Sequence, residues 1–274
     1  MTARLVLVGG GRMGEALLRG LLAAEWAAAA ELAVVEPSDA RREALAAAFP
    51  GVTVAAKIEG IDGGLGGAVI AVKPADVAAA CRALGGAFAN PAGGGRVLSI
   101  AAGVSTARLE EWLPPGTAVV RAMPNTPAQI GAGAAAIAGG TAAATADLDW
   151  AASILEAVGT VARVPEHLLD AVTGLSGSGP AYVFLVAEAL IDAGVLAGLP
   201  REVSVRLALQ TVAGAGRLLV ESGETPEALR AAVTSPGGTT AAGLRVLEDH
   251  GLRAAFLAAV TAATARSQEL GRDA

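Results

Sequence analysis

Short runs of apolar residues, many of them β-branched, alternate with longer Ala- and Leu-rich segments through the first 164 residues. The short runs predict buried strands and the longer segments predict helices. Strands that alternate with helices in this way predict a mostly parallel sheet with right-handed crossovers. The predicted strands are 4–8, 32–35, 52–55, 68–72, 97–101, 117–123, 132–138 and 161–164.

After residue 164 the pattern contains no strand signal and predicts helices alone. The segment 201–220 is apolar on more than one face, which is typical of a helix enclosed by partners. The sequence therefore predicts an α/β protein, with a Rossmann-type doubly wound sheet in residues 1–164 and an all-α domain in residues 165–274. The predicted helices of that second domain are 165–172, 180–193, 201–222, 226–233, 239–249 and 252–270.

The first predicted strand ends in a glycine-rich turn, and a helix is predicted to follow at residues 15–24. Gly9, Gly11 and Gly14 match the spacing G-x-G-x-x-G between a strand and a helix. In that motif the first glycine allows a tight turn, the second lets a pyrophosphate approach the backbone, and the third lets the helix pack on the strand. The motif predicts dinucleotide binding, with a plain turn as the alternative.

Glu36 ends the second predicted strand, 22 positions after Gly14. An acid there accepts a hydrogen bond from the ribose 2′-hydroxyl of NAD. It would repel the 2′-phosphate of NADP by about 3 kcal/mol per unit charge at roughly 5 Å before screening, with a dielectric constant of about 20. Arg41 and Arg42, on a helix that Ser38 is predicted to cap, would offset this repulsion if either reached back. The alternative is that both arginines are solvated, so the choice of cofactor stays open.

Two other residues follow predicted strands, at the edge where α/β sheets bind ligands. Lys73 is one of only two lysines in a chain with eighteen arginines, and its alternative interpretation is a solvated loop residue. Asn125 lies in the segment Pro124-Asn125-Thr126-Pro127, where two prolines enforce an extended turn.

Two segments rich in serine and glycine precede predicted helices in the second domain. In residues 170–184, Ser178 or Gly179 is predicted to cap a helix that carries Pro180 in its first turn. In residues 233–240, two glycines and four hydroxyl side chains precede another helix. Backbone N–H groups at such helix starts bind small anions. The alternative for the first segment is a capped core helix that joins the two domains.

Composition narrows the function classes. The net charge is −6 and no basic cluster occurs, which argues against nucleic-acid binding. Hydrophobic residues make up 53% of the chain and aromatic residues only 3%, so we expect an oligomer that covers the surplus apolar surface.

The segment 181–199 is the most membrane-like, but Glu188 and Asp192 would be costly at a bilayer centre, and we expect no membrane span. A single cysteine, Cys81, and the absence of an export signal in residues 1–8 indicate a cytoplasmic protein without disulfides.

The sequence offers few acid–base groups. His167 and His250 are the only histidines, neither lies in a motif, and no cluster of metal ligands is present. A ketone reductase would need a positioned acid for the developing alkoxide. A nicotinamide site with loops for a small carboxylate instead fits hydride transfer to an acceptor that needs little proton management, such as an imine protonated before it arrives.

Six motifs together resemble those of the pyrroline-5-carboxylate reductases along the whole chain. They are residues 9–14, 71–74, 101–104, 121–127, 170–184 and 235–240. The resemblance implies an N-terminal Rossmann domain and an all-α C-terminal domain that interlocks with a partner copy to form a homodimer, with further assembly into rings such as a decamer of five dimers. It also implies that NAD(P)H reduces 1-pyrroline-5-carboxylate to L-proline, the last step of proline synthesis.

The resemblance further implies roles for individual residues. The partner subunit would bind the substrate carboxylate through its loop 235–240, and Thr240 would place its hydroxyl by the imine nitrogen as the catalytic side chain. The implied substrate-binding residues are Ser235, Gly237, Gly238, Thr239 and Thr240. The implied cofactor-binding residues are Val8, Gly9, Gly10, Gly11, Arg12 and Met13 at the pyrophosphate, Glu36 at the ribose, and Val72, Lys73, Ala101, Ala102 and Asn125 near the nicotinamide.

Two positions depart from the family pattern. Members that prefer NADPH usually carry a small polar residue where Glu36 stands, and an asparagine is expected near Lys57. NADPH is the expected cofactor of the family, and Glu36 makes NADH the alternative. Two other functions share parts of this pattern. A hydroxy-acid dehydrogenase of the same plan would rely on a lysine in the helical domain, yet none occurs after Lys73. A non-catalytic dinucleotide-binding module would not need the intact loop 235–240.

Overall fold

The structure is a computed structural model that describes residues 3–61, 65–87 and 95–273. The chain packs as two units. The Rossmann unit comprises residues up to 178 together with residues from 262 onwards, and the helical unit comprises Gly179–Thr261. These two units are defined by packing alone. The predicted boundary between a cofactor-binding domain and a helical domain, at residues 164 and 165, stays a prediction.

One sheet organises the Rossmann unit. Its strands are β1 Leu5–Val8, β2 Leu32–Val35, β3 Thr53–Ala55, β4 Ala68–Ile70, β5 Arg96–Ser99, β6 Ala118–Met123, β7 Gly133–Gly139 and β8 Gly159–Arg163. The strand order is β3-β2-β1-β4-β5-β6-β7-β8, and among these only the β6–β7 pair is antiparallel. The predicted, mostly parallel sheet is therefore confirmed, with each predicted strand end within two residues of the observed one.

Helices cover both faces of this sheet. They are α1 Arg12–Ala23, α2 Asp39–Ala48, α3 Val77–Ala87, α4 Thr106–Trp112, α5 Thr145–Glu156 and α6 Leu169–Val172. Along β1, Leu5 and Leu7 belong to one buried cluster with residues of α1 and α5, whereas Val6 and Val8 belong to another with residues of α3 and α4. A strand buried on both faces explains why its sequence is a continuous apolar run.

The remaining helices are α7 Gly179–Leu196, α8 Arg201–Glu221, α9 Pro226–Ala232, α10 Thr239–Asp249 and α11 Leu252–Asp273. No strand is assigned after β8 in the described part of the chain, as predicted. At Gly194 the pair α7–α8 is close, because a Cβ there would lie 2.2 Å from the Ser204 Oγ. That hydroxyl donates to the Ile191 carbonyl at 2.7 Å.

α7 begins at Gly179 with Pro180 in its first turn, as predicted, but the open loop expected before it is absent. A π-helical turn, Thr173–Gly177, and a bend at Ser178 connect α6 to α7. The Ser178 N–H donates to the Thr173 carbonyl at 2.8 Å and is not free for a ligand. A proline ring collides with the carbonyl four residues before it in regular α geometry, and here the turn before Pro180 is π-helical. The small-anion site expected there lacks the loop on which it depended.

The helical unit leaves most of its surface open. Among its described residues only Ala187, Ser204 and Ala208 are buried. Large apolar side chains such as Phe184 and Val220 are exposed. The stretches Glu166–Leu196 and Arg201–Glu221 are long and apolar enough to span a membrane by length and composition alone. This unit therefore does not bury its own apolar surface.

Candidate functional site

The glycine-rich loop between β1 and α1 has the geometry that its spacing predicts. Gly9 has a φ of 110°, and a Cβ there would lie 2.6 Å from the Ala71 carbonyl oxygen. A Cβ at Gly14 would lie 2.1 Å from the Gly9 carbonyl oxygen, so only glycine lets α1 approach this closely. Gly11 differs, since nothing lies within 4 Å of its Cβ position. The space before the N-terminus of α1 is thus open, which fits a pyrophosphate.

The parallel register gathers the predicted cofactor residues at one edge of the sheet. Val8 pairs with Val35 and Ile70, Ile70 pairs with Ser99, and the loops that follow these strands share an edge. The strand order reverses between β1 and β4, where doubly wound sheets bind dinucleotides. At or beside this edge lie Val8, Gly9, Gly10, Gly11, Arg12, Met13, Glu36, Val72, Lys73, Ala101, Ala102 and Asn125.

The carboxylate of Glu36 connects two backbone segments of this edge. The Gly10 N–H donates to its Oε2 at 3.0 Å, and the Ser38 N–H donates to its Oε1 at 3.0 Å. Ser38 occupies the N-cap of α2 as predicted, but its hydroxyl makes no capping bond. Glu36 therefore holds the glycine loop against the start of α2, at the position expected for a ribose-binding acid.

Arg41 and Arg42 both reach back from α2, so the interpretation of two solvated arginines is wrong. Arg41 donates through Nε to the Gly10 carbonyl at 2.6 Å and also pairs with Glu15. Arg42 donates to the Glu36 carbonyl at 2.9 Å and pairs with Asp39. The hydrogen bond from Arg41 is the main cause that lowers the pKa of Glu15, although partial burial opposes it. Each arginine is thus already paired with a carboxylate.

Asn125 is buried and holds two other segments of the Rossmann unit. Its Nδ2 donates to the Ser176 carbonyl at 3.0 Å, and its Oδ1 accepts from the Ala134 N–H at 2.9 Å. The side chain therefore joins the turn after β6 to the start of β7 and to the π-helical turn. Its contact with the nicotinamide stays a prediction.

A second buried network, which the sequence did not reveal, lies beside β6. Glu166 accepts from the Thr106 N–H at 2.7 Å, from the Thr106 hydroxyl at 2.5 Å and from Arg121 at 3.1 Å. Burial raises the pKa of Glu166, but these three donors together outweigh it and the net shift is downward. Arg121 stands in one of the motifs, yet no local pattern pairs it with a residue 45 positions later.

The loop 235–240 of the helical unit presents a helix start. The Gly238 N–H donates to the Ser235 carbonyl at 3.0 Å, and Gly237 has a φ of 69°. Pro236 followed by a glycine with positive φ is typical of a type II turn. Thr239 and Thr240 then form the first turn of α10, where backbone N–H groups have no intrahelical acceptor. This turn offers N–H groups and hydroxyls to a small carboxylate.

The remaining candidates for chemistry are inert or isolated. Cys81 is fully buried, and burial raises the pKa of its thiol to about 11. His167 and His250 are exposed. Among the described residues, no group of three His, Cys, Asp or Glu side chains is arranged to hold a metal ion.

Two regions of the chain match known protein families. Residues 166–270 match the family described as pyrroline-5-carboxylate reductase dimerisation. Residues 4–103 match the family described as NADP oxidoreductase, coenzyme F420-dependent. The first match covers the whole helical unit and the π-helical turn, and the second covers the glycine-rich loop.

Full-length relatives give the same result. The chain is 46% identical to the pyrroline-5-carboxylate reductase of Synechocystis, over 99% of this chain and 100% of that protein. It is 45% identical to the Mycobacterium tuberculosis enzyme of the same name, over 98% and 97%. Among solved structures, the Coxiella burnetii pyrroline-5-carboxylate reductase superposes with a TM-score of 0.90 at 35% identity, covering 98% of this chain and 99% of that chain. The Plasmodium falciparum enzyme, solved with NADP bound, gives 0.80 at 30% identity, with 98% of each chain covered.

Proposed function

The chain belongs to the pyrroline-5-carboxylate reductase family, and we propose which of its residues bind the reactants and in what assembly they do so. The protein is an NAD(P)H-dependent oxidoreductase that reduces 1-pyrroline-5-carboxylate to L-proline, the final step of proline biosynthesis. The observation that carries the site assignment is the open space at Gly11 before α1, at the point where the strand order reverses.

The glycine-rich loop would hold the cofactor pyrophosphate. The N–H groups at the start of α1 point toward the open space at Gly11, and Arg12 adds an exposed positive charge in the first turn. The segments that carry Val72, Lys73, Ala101 and Ala102 would border the nicotinamide, and Asn125 would fix the turn beside them. When bound, the reduced nicotinamide supplies a hydride to the imine carbon of the substrate.

The loop 235–240 would bind the substrate. Backbone N–H groups of Gly237, Thr239 and Thr240, with the hydroxyl of Ser235, would receive the carboxylate. Thr240 is partly exposed in the first turn of α10, and its hydroxyl would accept a hydrogen bond from the N–H of the protonated imine. A substrate that arrives protonated needs no strong acid from the protein. The absence of a histidine from the proposed site agrees with this, since both His167 and His250 are exposed elsewhere.

The helical region is a dimerisation domain, and the protein is a homo-oligomer. We propose that a second copy covers the apolar surface of α7 and α8 and that the loop 235–240 of each copy completes the site of its partner. The proposed unit is a homodimer, with a decamer of five dimers as the larger assembly. An acidic chain whose apolar helices serve this interface would be a cytoplasmic protein, bound to neither membrane nor nucleic acid.

The choice between NADPH and NADH depends on Glu36. NADPH is the expected cofactor, since residues 4–103 match an NADP oxidoreductase family and the Plasmodium falciparum relative was solved with NADP. The carboxylate of Glu36 and the prior pairing of Arg41 and Arg42 favour NADH as the alternative.

The experiment adds 1-pyrroline-5-carboxylate to purified protein and measures the decrease in absorbance of the reduced nicotinamide. It is run separately with NADPH and with NADH, and proline is quantified at the end. Stoichiometric proline is expected, and the ratio of the two rates reports on the surroundings of Glu36. Absence of turnover with both cofactors, in protein shown to be folded and oligomeric, would contradict the assignment.

A further inference from the structure

One carbonyl in the helical stretch Glu166–Leu196 lacks its usual donor. In an α-helix the carbonyl of Ser176 would accept from the N–H of residue 180, four positions later. Residue 180 is a proline, which has no N–H, and its ring also collides with that carbonyl in regular α geometry. The turn Thr173–Gly177 is π-helical at this place. Pro180 therefore leaves the Ser176 carbonyl in need of a donor from outside the helix.

The side chain of Asn125 provides that donor, at 3.0 Å from Nδ2 to the Ser176 carbonyl. The two hydroxyls of the turn cannot replace it, because each already donates to a carbonyl four residues earlier. The Thr173 hydroxyl donates to the Leu169 carbonyl at 2.8 Å, and the Ser176 hydroxyl donates to the Val172 carbonyl at 3.1 Å. Asn125 is 9% exposed, so the bond lies away from water, where an unpaired carbonyl is costly.

The same contact places the π-helical turn against the ligand-binding edge of the sheet. A Cβ at Gly177 would lie 2.8 Å from the Met123 Cε, so the turn packs directly on the end of β6. Asn125 follows two residues after Met123 and also accepts from the Ala134 N–H at 2.9 Å. The amide thus fixes three backbone segments relative to one another at the edge proposed to hold the nicotinamide.

We propose that Asn125 is a positioning residue for the reduction, acting through the Ser176 carbonyl that Pro180 leaves without a donor. This inference rests on the proposed function, because it takes the edge beyond β6 as the nicotinamide side of the site. The inference predicts that the hydrogen bond from Asn125 to the Ser176 carbonyl is required only while residue 180 is a proline. If residue 180 carries an N–H, the Ser176 carbonyl has a donor within its own helix, and the amide of Asn125 is no longer required for it.

The test is a double-mutant cycle with Asn125→Ala and Pro180→Ala, measured as kcat, as KM for 1-pyrroline-5-carboxylate and as affinity for the reduced cofactor. A misplacement of about 1 Å costs on the order of a hundredfold in rate, so Asn125→Ala is expected to lower kcat by roughly tenfold to a hundredfold with Pro180 present. In the Pro180→Ala background the loss is expected to fall to about threefold or less. The lost acceptor for the Ala134 N–H is common to both backgrounds and cancels in the cycle.

Asn125→Asp separates the donor from the acceptor, because it keeps an oxygen for the Ala134 N–H and lacks the N–H for Ser176. It is expected to lose about as much kcat as Asn125→Ala, and it takes that variant's place if Asn125→Ala does not fold. Equal losses in the two backgrounds, or an Asn125→Asp variant with the wild-type kcat, would overturn the inference. So would a loss of thermal stability with an unchanged kcat for the folded enzyme.

Failure of the proposed function would look different. Wild-type protein would then give no proline at all, whatever residue stands at position 125. The coupling between Asn125 and Pro180 would still be measurable by amide hydrogen exchange of residues 173–178, which does not depend on turnover. Slower exchange there in the Pro180→Ala, Asn125→Ala double variant than in Asn125→Ala alone supports the assigned contact, and equal exchange contradicts it.

Discussion

The two units of this chain use apolar residues in opposite ways. The Rossmann unit encloses a sheet between two layers of helices, and strands such as β1 are buried on both faces. The helical unit buries only Ala187, Ser204 and Ala208 among its described residues and exposes large side chains along α7 and α8. An obligate interface resembles a domain core cut in half. An apolar sequence pattern therefore predicts that residues are buried, but it does not show whether they pack against their own chain or against another copy.

The two units also differ in whether their polar contacts join distant segments or lie at the surface. In the Rossmann unit, Glu36, Asn125 and Glu166 each bind backbone groups of distant segments. In the helical unit the ion pairs are exposed, and some of them, such as Arg217 with Glu221, lie four residues apart on one helix. Exposed pairs of this kind contribute about 0–1 kcal/mol. Side-chain contacts between distant segments therefore fix the first unit, whereas the second unit has the exposed apolar surface that we propose a second copy covers.

The largest effect is expected from charging the uncovered surface. Leu185 is 66% exposed on α7, and Leu185→Lys should place a charge in the interface, which is strongly destabilising when it lacks a partner. We expect loss of the oligomer and of all activity, measured by sedimentation and by turnover. Ile130, 83% exposed on the Rossmann unit, gives the matched control, and Ile130→Lys should retain both. A monomeric, active Leu185→Lys enzyme would remove the distinction between the units.

A smaller but still large effect is expected at the substrate loop. Thr240→Ala removes the hydroxyl proposed to accept from the N–H of the protonated imine, and kcat should fall on the order of a hundredfold. Affinity for the reduced cofactor should stay near the wild-type value, because the cofactor is assigned to the other unit. Thr240→Ser keeps the hydroxyl and should restore most of the rate. Equal losses of turnover and of cofactor affinity in Thr240→Ala would refute its assigned role.

The choice of cofactor is expected to change by roughly tenfold, within the Rossmann unit alone. Glu36→Ser removes the charge opposite a 2′-phosphate and should raise kcat/KM for NADPH relative to NADH, since the repulsion is worth about 3 kcal/mol before screening. Glu36→Gln removes the charge and keeps one acceptor for the Gly10 N–H, and it should shift the ratio in the same direction. An unchanged ratio in both variants would show that Glu36 points away from the ribose.

The smallest effect is one of stability and depends on pH. The pKa of Glu166 is lower in the folded protein than in the unfolded chain, so its contribution is present above the unfolded value and is lost as pH falls through the folded one. Glu166→Gln should therefore cost about 1–3 kcal/mol near neutral pH. Below about pH 4 the cost should shrink, measured by urea unfolding across pH. A cost that stays constant with pH would show that the charge of Glu166 is not what stabilises the network.

The elements of the Rossmann unit were predictable because their signals are local. Apolar runs mark the strands, and the spacing of Gly9, Gly11 and Gly14 marks the dinucleotide loop. α7 begins where it was predicted, but the loop expected before it is a π-helical turn, because serine and glycine also fit a helix that widens into a π turn. The contacts of Asn125 with Ser176 and of Arg121 with Glu166 were not predictable, since each joins residues far apart in sequence. Loop 235–240 was predictable as an anion-binding helix start from its glycines and hydroxyls, whereas its role in the partner's site came only from the family resemblance.

We propose that the cofactor loop of one copy and the substrate loop of its partner form one active site. Mixing two inactive variants tests this shared site. Gly11→Glu fits sterically because nothing lies within 4 Å of its Cβ, and its carboxylate repels the pyrophosphate. Thr240→Ala disables the substrate loop. In a mixed dimer of the two, one site would combine an intact cofactor loop with an intact substrate loop.

The measurement is proline formation after the two variants are mixed in equal amounts and allowed to exchange subunits, compared with each variant alone. With shared sites, half of the dimers are mixed and each holds one intact site, so about a quarter of wild-type activity should return. If each subunit holds a complete site of its own, every site carries one defect. Activity would then stay at the level of the separate variants, and the account would be contradicted.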